Sequence, residues 1–407
     1  MQSLRTTCCV VGGGPAGVML GYLLARAGVE VTVLEKHQDF FRDFRGDTVH
    51  PSTMQLMNEL GILDEFLALP HQKVETVGGV YGGYPFRVGD LTTLPISTPY
   101  IALMPQWDFL NFLSGKGKAY PEFTLLMEHE ATGLVEGDGR VRGVVVQTPQ
   151  GEQRIEADLV VACDGRHSLT RQQAALPLKE LGVPIDVLWF RLSKTADDPV
   201  KGVLGNINYG KMLILIDRSN YFQAGLIIRK GGFAEIQQAG LPAFRESLRG
   251  VLPLLGDRVE EITGWEQVKL LTVQVNRLER WWRPGLLCIG DAAHAMSPVF
   301  GVGINLAVQD AVAAANALAA ALRVGKSTDA LLERVQERRT FPTKGTQRMQ
   351  VTVHKGLQSI FRQTGPMRAP LLLKAIVHLP GLRALTARVV GMGLRREHIE
   401  TPNVHRA

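Results

Sequence analysis

The sequence lacks the marks of several protein classes. No two cysteines have the spacing of a metal site or a CxxC pair, and all stand in apolar runs, so we expect reduced thiols and no metal: Cys8, Cys9, Cys163 and Cys288. No uninterrupted apolar run reaches roughly 18 residues, which disfavours a spanning helix. The first residues have too short an apolar run for a secretory signal. These absences predict a cytoplasmic protein without a transmembrane segment.

Acidic residues are scarce at one end of the chain. The 407 residues have a formal net charge of +6. From residue 341 onwards there are 11 Lys and Arg against 2 acidic residues, whereas the rest holds 34 against 37. Such a basic tail can meet a membrane surface or an acidic partner, and it can equally be a helix pair with a cationic exposed face. Because no basic motif has interleaved aromatic residues, we expect no nucleic-acid binding.

The apolar patterns predict two sheets. A β-branched run at residues 6–11 leads through a glycine turn into a helix over residues 15–28 and then a strand that ends at Glu35, which makes one βαβ unit. "ADLVVACDG" and "GLLCIGDAAH" read as further buried strands. Four later runs predict an antiparallel second sheet: 186–192, 211–217, 221–229 and 268–277.

Helices are predicted at three further places. One follows Ser52 as its N-cap, and an alanine-rich helix covers residues 305–322. The tail from residue 327 reads as helical. We expect four prolines to break it: Pro342, Pro366, Pro370 and Pro380.

The first glycine turn has the spacing of a dinucleotide-binding fingerprint. In "VVGGGPAG", Gly12, Gly14 and Gly17 stand in G-x-G-x-x-G order between a strand and a helix. The turn and helix start would bring backbone N–H groups to a diphosphate, and Glu35 would accept from ribose hydroxyls. The predicted contacts are Gly12, Gly13, Gly14, Pro15, Ala16, Gly17, Glu35 and Lys36. The fingerprint alone leaves NAD and FAD both open.

Three further motifs resemble those of the para-hydroxybenzoate hydroxylase family of FAD-dependent monooxygenases. They are "CDGRHSLTR" at 163–171, "GDAAHAMSPVFGVGINLAVQDA" at 290–311, and "FRGDTVHPSTMQLMNELG" at 44–61. The resemblance covers about residues 5 to 340. It implies FAD as cofactor and NADPH or NADH as a transient co-substrate, because no second fingerprint occurs.

The resemblance also implies a two-lobed α/β fold. A Rossmann-like FAD-binding domain would take residues 1–71, 104–184 and 276–340. An antiparallel β-sheet domain for the substrate would take residues 72–103 and 185–275. A basic, helical C-terminal region would cover residues 341–407 and pack back on both lobes.

Roles follow from the motif matches. Asp291 would accept from the ribityl chain of FAD, Arg45 and Gln106 would contact its phosphate or ribityl part, and Asp164 would support the bound cofactors. The loop and helix start that face the flavin ring would be Gly301, Val302, Gly303, Ile304 and Asn305. As alternatives, Asp164 and Asp291 are turn residues and Gln106 merely begins a helix. His294 invites a proton-transfer role, but a structural role is favoured.

The family's chemistry implies hydroxylation of an aromatic, phenolic or polyketide-like small molecule by O2 through a C4a-hydroperoxyflavin. The backbone carbonyl of Pro298 would lie closest to flavin and substrate. Phe300 departs from the family, since many relatives have glycine there. Candidate substrate contacts are Trp189, Phe190, Arg191, Tyr221, Phe222 and Phe300. Arg191 would favour an anionic substrate or else form a surface ion pair, and the strand aromatics can be plain core. A reductase of the geranylgeranyl-reductase type and a flavin-binding sensor remain the alternatives.

Overall fold

The computed structural model describes residues 3–41, 47–195, 197–198, 202–218 and 220–405. This part of the chain contains twenty strands and eleven α-helices. The strands are β1 (Ser3–Val11), β2 (Val31–Leu34), β3 (Thr48–Val49), β4 (Gln72–Val74), β5 (Thr76–Tyr81), β6 (Tyr84–Asp90), β7 (Ile101–Leu103), β8 (Phe123–Leu126), β9 (Glu130–Gly137), β10 (Arg140–Thr148), β11 (Gly151–Ala162), β12 (Leu178–Glu180), β13 (Ile185–Ser193), β14 (Val203–Asn208), β15 (Lys211–Asp217), β16 (Tyr221–Arg229), β17 (Lys269–Leu271), β18 (Asn276–Leu278), β19 (Trp282–Arg283) and β20 (Leu286–Cys288). The helices are α1 (Pro15–Arg26), α2 (Pro51–Glu59), α3 (Leu63–Leu67), α4 (Gln106–Gly117), α5 (Leu169–Gln173), α6 (Phe233–Ala239), α7 (Leu241–Val251), α8 (Gly303–Arg323), α9 (Asp329–Ile360), α10 (Leu371–Val377) and α11 (Pro380–Met392).

The first sheet has the strand order β19-β20-β11-β1-β2-β8, in which all neighbours are parallel except β19 and β20. β1 pairs in parallel with both β2 and β11, and β20 pairs in parallel with β11, while β9 and β10 extend β11 in antiparallel fashion. All of β2 and the second half of β1, from Cys8 to Val11, are buried, as expected for parallel strands covered by helices. The predicted βαβ unit is therefore confirmed. The carboxyl ends of β1, β11 and β20 meet at one edge of the sheet.

The second sheet has seven strands in the order β17-β13-β16-β15-β14-β5-β6, and only β14–β5 is parallel. One face packs on α7, with Phe190 and Phe222 in that core. The opposite face has a second core that includes Trp189 and residues from the end of α9. Neighbouring strand residues point to opposite faces. Phe190 and Phe222 therefore lie on the far side of the sheet from Trp189, and their prediction as substrate contacts is wrong.

The connection between the two sheets differs from the sequence prediction. Residues 268–277 were expected to form one strand, but β17 ends at Leu271 in the second sheet and β18 pairs with β12 in a separate two-stranded sheet. The chain passes from the second sheet to the two-stranded sheet here. The apolar residues continue through this connection, which is why the sequence pattern did not show that the strand ends. Another small sheet orders β3-β7-β4. The proposed domain boundaries remain a prediction.

Pro342 was expected to break the helical tail, but α9 continues through this residue. A proline lacks the N–H that would bond the carbonyl four residues earlier, here that of Arg338. The Arg395 Nη1 donates to this carbonyl at 3.5 Å. A second correction concerns α2, which begins at Pro51 with His50 as its N-cap and not at Ser52.

The helix α8 is the longest apolar helix of the described chain. Together with the preceding turn it forms the segment Val299–Arg323, which is long and apolar enough to cross a membrane by length and composition, with a mean hydropathy of 1.3. However, 83% of that window is buried inside the protein. It packs between α1 and α9, so it serves as a core helix of this fold.

Candidate functional site

The three glycines of the first turn have three different surroundings. Gly12 has φ +108°, and a Cβ there would lie 2.5 Å from the Cys163 carbonyl oxygen. A Cβ on Gly17 would lie 1.9 Å from the Gly12 carbonyl oxygen, so only glycine lets α1 approach the turn. A Cβ on Gly14 would meet nothing within 4 Å. The first and third glycines are thus required by packing, whereas the middle one faces open space, as approach of a diphosphate to the backbone demands.

The start of α1 offers donors to that space. Gly14 is its N-cap, Pro15 its first residue, and no side chain caps the helix. The Glu35 carboxylate lies beside the turn, since a Cβ on Gly13 would come within 3.0 Å of its Oε2. Lys36 points elsewhere and forms an exposed ion pair with Glu130 at 3.6 Å.

The second glycine-rich segment lies against the first. Gly290 has φ +61°, and a Cβ there would lie 3.2 Å from the Ala16 Cβ and 3.3 Å from the Ala307 Cβ. The absent side chain at residue 290 therefore lets α1, α8 and the 3-10 turn that carries Asp291 converge. Two motifs almost three hundred residues apart in sequence share one site.

The Asp-Gly motif joins them through two arginines that the sequence analysis did not single out. Arg171 is buried, and its guanidinium donates to the Ala292 and Arg166 carbonyl oxygens at 3.0 Å each. The Arg166 Nη2 lies 3.2 Å from the Asp291 Oδ2. Both arginines belong to "CDGRHSLTR", so their position in that motif was the available signal.

Only one of the two carboxylate oxygens of Asp164 has a hydrogen-bond donor among the described residues. Its Oδ2 accepts from the Thr170 N–H at 3.1 Å, which is the turn role weighed above. Its Oδ1 is buried and has no hydrogen-bond partner among the described residues. A buried carboxylate oxygen without a partner is costly, so a ligand hydroxyl or ordered water is expected there.

The loop before α8 is a 3-10 turn, Val299–Gly301, that follows Pro298. α8 begins at Gly303 with no side-chain cap, and a Cβ on Gly303 would meet nothing within 4 Å. The start of α8 thus has free space beside Gly303 and no side-chain cap, and the helix dipole favours a negatively charged group there. Val302 and Ile304 bury their side chains, so only their backbone is available to a ligand.

The Asn305 side chain holds the neighbouring segment. Its Oδ1 accepts from the His50 N–H at 2.8 Å and the Thr53 hydroxyl at 2.7 Å, and its Nδ2 donates to the Thr48 carbonyl oxygen at 3.1 Å. The Thr48 hydroxyl in turn donates to the Gly301 carbonyl oxygen at 2.7 Å. This network ties the loop to the start of α2.

Phe300 takes a left-handed backbone conformation, with φ 65° and ψ 0°. This conformation costs an ordinary residue about 1–2 kcal/mol, and glycine avoids that cost. The half-buried ring belongs to an apolar cluster with Ile216 of the second sheet and with Val390 of α11. The departure from the family's glycine thus keeps the turn and adds a side chain between the two sheets.

A row of polar side chains on α9 holds the same loop from behind. The Gln350 Oε1 accepts from the Ser297 N–H at 3.1 Å, and its Nε2 donates to the Ser297 and Val299 carbonyl oxygens at 3.0 and 3.1 Å. The His354 Nε2 lies 2.8 Å from the Ser297 hydroxyl. Burial lowers the pKa of His354, which favours a neutral ring. Gln347 continues the row, donating to the Ala295 carbonyl oxygen at 3.3 Å.

The sequence analysis missed this row, which we call the α9 clamp: Gln347, Gln350 and His354. Its members are three and four residues apart, so they share one face of the helix. That spacing was the only signal, and nothing in it pointed to the loop around Pro298.

Two buried histidines near the loop have structural partners. The His294 Nε2 lies 2.5 Å from the Asp310 Oδ2, and Arg339 binds the other oxygen of Asp310 at 2.8 Å. Burial opposes ionisation of Asp310, but the contacts with His294 and Arg339 outweigh it and lower its pKa. The His50 Nδ1 donates to the Val390 carbonyl oxygen at 2.7 Å, and burial lowers the pKa of His50 to about 4.

Trp189 lies on the face of the second sheet that packs against the end of α9. Its side chain lies over Gly225, where a Cβ would be 2.6 Å from the indole, and its Nε1 is buried without a partner among the described residues. The Arg191 guanidinium stacks on the Tyr221 ring at 4.8 Å. Arg191 is exposed and Tyr221 half-buried, so this pair lies at the rim.

A charged network that the sequence analysis also missed joins the end of β15 in the second sheet to the residue before β3. Arg218 pairs with Asp47 and donates to the Gln223 Oε1 at 2.9 Å. Asp47 also accepts from the Gln106 backbone N–H; burial raises the pKa of Asp47 to about 6, although Arg218 opposes the shift. Gln106 begins α4 half-buried beside this network. Arg45 lies outside the described residues.

The geometry defines a class of protein. Open backbone at two helix starts, 3-10 and glycine turns that converge, and a buried carboxylate oxygen without a partner fit an elongated dinucleotide with a ring system at one end. Within the described part of the chain no group of three His, Cys, Asp or Glu residues suits a metal ion. These features define a dinucleotide-binding fold with a second, mostly antiparallel sheet.

Comparisons with known proteins give the family. The pattern of the family described as "FAD binding domain" matches residues 5–349, and the chain belongs to this family. It is 32% identical to 6-methylpretetramide 4-monooxygenase from Streptomyces rimosus over 387 residues, covering 95% of this chain and 92% of that protein. It is 24% identical to dialkyldecalin synthase from Streptomyces rugosporus, covering 95% and 80%.

The fold comparison agrees. The crystal structure of p-nitrophenol 4-monooxygenase from Pseudomonas putida superposes with a TM-score of 0.77 at 20% identity, covering 97% of this chain and all of that one. The resemblance noted in the sequence, FAD as cofactor, and the α/β fold with a second sheet and a C-terminal helical segment are therefore confirmed. The protein is an FAD-dependent monooxygenase.

Proposed function

We propose that this enzyme uses NAD(P)H and O2 to hydroxylate an aromatic, phenolic or polyketide-like small molecule. The observation that carries the proposal is the convergence at Gly290, where the diphosphate turn, Asp291 and the start of α8 meet. One elongated ligand spans them. Bound FAD would accept a hydride from NAD(P)H and, once reduced, activate O2 at its C4a atom for transfer to the substrate.

The chain's own contribution to FAD binding follows from the site. Gly12 to Gly17 and the start of α1 would hold the diphosphate, and Glu35 a ribose. Asp291, held by Arg166, would bind the ribityl chain, with Gln106 and Asp164 nearby. The N–H groups of Gly303, Ile304 and Asn305 would face the end of the flavin ring that becomes negative on reduction. In these contacts the protein would orient the cofactor and stabilise its negative charge.

The substrate would lie between the flavin loop and the second sheet. Pro298 and Phe300 would border it on one side, and Trp189 on the other, where the unpartnered indole N–H can donate to a substrate oxygen. Arg191 and Tyr221 would line the entrance from their position at the rim. The apolar walls exclude water from the reacting atoms.

The Asp47–Arg218 pair would join the two sides. Its carboxylate is held by the start of α4 and its guanidinium by β16, so closure of the two sheets over a substrate would keep this pair intact. The raised pKa of Asp47 gives this carboxyl group a protonated fraction near neutral pH.

One experiment separates this function from its alternatives. The purified flavoprotein is screened against phenols, quinone precursors and polyketides for stimulated NAD(P)H oxidation under 18O2, and product mass is measured. We expect stimulation and incorporation of one labelled oxygen atom. Oxidation without incorporation would instead support a reductase, and absence of any stimulated turnover a sensor; a synthase, as one relative is named, would convert substrate without label.

The site assignment has its own test. Asp291→Ala removes the ribityl acceptor and leaves Arg166 without its carboxylate, so we expect the purified variant to lose most of its FAD. Flavin absorbance per protein measures this loss, with Asp138→Ala as a control at an exposed carboxylate that also pairs with an arginine. Full flavin content in Asp291→Ala would contradict the assignment.

A further inference from the structure

The C-terminal helices carry an unusual set of exposed residues. Leu371 and Leu372 begin α10 and are 83% and 72% exposed, the highest values among the large apolar side chains of the described residues. Leu379 and Leu385, between and within the helices, are 54% and 57% exposed. Apolar side chains clustered in this way are uncommon on the surface of a monomeric protein and mark an interaction site. We call these four leucines the leucine patch.

The charged residues of the segment that carries the leucine patch have one sign. Residues 361–396 contain seven Lys and Arg and no Asp or Glu. Arg368, Lys374 and Arg388 are exposed within or beside the two helices. Long basic side chains next to apolar ones are the pattern of helices that lie in the interface of an anionic bilayer, where the apolar groups enter and the cations meet phosphate groups.

The opposite side of the same helices is firmly attached to the protein. Ala387 and Val390 of α11 are buried in the cluster that includes Phe300, and Val377 of α10 is buried as well. The Val390 carbonyl accepts from His50. The leucine patch therefore projects from helices whose other side is packed against the protein, and the fold does not require these leucines to be covered.

We propose that the leucine patch and its cations bind the surface of an anionic phospholipid membrane. The two other occupants fit less well. A second copy of this chain on the same surface would place an acid-free region of high positive charge against itself, because a two-fold contact pairs identical patches. A folded acidic protein would need pockets for two neighbouring protruding leucines, whereas a bilayer accepts them without a matching shape.

The test uses the purified holoprotein and sedimentation with vesicles. We expect binding to vesicles of phosphatidylcholine with phosphatidylglycerol, little binding to phosphatidylcholine alone, and weakening by salt. Leu371→Ser/Leu372→Ser should lower the partition coefficient at least about tenfold, and Arg368→Gln/Arg388→Gln roughly tenfold. Leu270→Ser, at a 44% exposed leucine of β17, is the matched control and should leave binding unchanged.

Three outcomes would overturn the proposal. One is failure of the wild-type protein to sediment with anionic vesicles. Another is equal binding by Leu371→Ser/Leu372→Ser and Leu270→Ser. The third is a wild-type dimer in analytical ultracentrifugation that Leu371→Ser/Leu372→Ser converts to monomer, which would assign the patch to a second copy. Flavin content and thermal midpoint confirm that each variant is folded, and none of these readouts depends on the proposed hydroxylation.

Discussion

The backbone at Phe300 offers a sharp test because glycine and alanine affect it in opposite ways. Both Phe300→Gly and Phe300→Ala remove the half-buried ring, so the lost burial is the same and cancels in the comparison. Alanine keeps the cost of φ 65°, about 1–2 kcal/mol, whereas glycine does not. The unfolded chain is more flexible with glycine than with alanine, which lowers the free energy of unfolding of the glycine variant by about 0.4–1 kcal/mol. We therefore expect Phe300→Gly to be more stable than Phe300→Ala by roughly 0.5–1 kcal/mol.

Urea unfolding of the flavin-free proteins, followed by tryptophan fluorescence, measures this difference. Val302 provides the matched control, since it lies two residues away with φ −85°, where alanine is unstrained. At that position the order should reverse, with Val302→Ala more stable than Val302→Gly. If Phe300→Ala proves as stable as Phe300→Gly while the control pair behaves as expected, no strain is stored at residue 300.

The same substitution has a functional side. Removal of the ring opens the cluster that Phe300 forms with Ile216 and Val390 between the two sheets. Water would then reach the region around Pro298 more easily. We expect Phe300→Gly to oxidise more NAD(P)H per product formed than the wild type, measured as hydrogen peroxide released. An unchanged ratio would place the ring away from the reacting atoms.

Three further predictions concern other buried groups. Gln350→Leu leaves the Ser297 N–H and two loop carbonyl oxygens without a partner, so the dissociation constant for FAD, measured by flavin fluorescence, should rise at least about tenfold. Gln358→Leu, at an exposed position of the same helix, should leave it unchanged. If both variants bind FAD equally tightly, the α9 clamp has no part in cofactor binding. His50 has a pKa of about 4 in the folded protein, below its value in the unfolded chain, so the unfolded state binds more protons on acidification. This group alone should therefore lower the free energy of unfolding by about 2 kcal/mol between about pH 7 and pH 5. His50→Gln should remove that part of the pH dependence in urea titrations, and the same pH dependence in both proteins would contradict the argument. Trp189→Phe removes the indole N–H that would donate to the substrate, so KM for the identified substrate should rise about two- to tenfold with little change in kcat or stability. A fall in kcat at constant KM would argue against this hydrogen bond.

Local sequence patterns determined the nucleotide-binding half of this protein. The order strand, Gly12-x-Gly14-x-x-Gly17, helix and strand predicts a βαβ unit because Gly17 lets the helix approach the turn at Gly12, a contact between residues five positions apart. Asp164 and Asp291 were assigned from their motifs, and each follows the end of a strand of the first sheet, β11 and β20 respectively. Motif order then added the expectation of FAD, which family membership confirms.

Tertiary structure alone decided how the distant segments support one another. The pairing of Asp47 with Arg218, and of Gln350 with Ser297, joins residues whose neighbours in sequence give no sign of a partner. Pro342 lies inside a helix because an arginine 53 positions later donates to the freed carbonyl. Which strand aromatics face the flavin side was likewise unreadable, since a one-residue step exchanges the two faces of a sheet. Local geometry follows from nearby residues, whereas partners across the fold are chosen by packing of the whole chain.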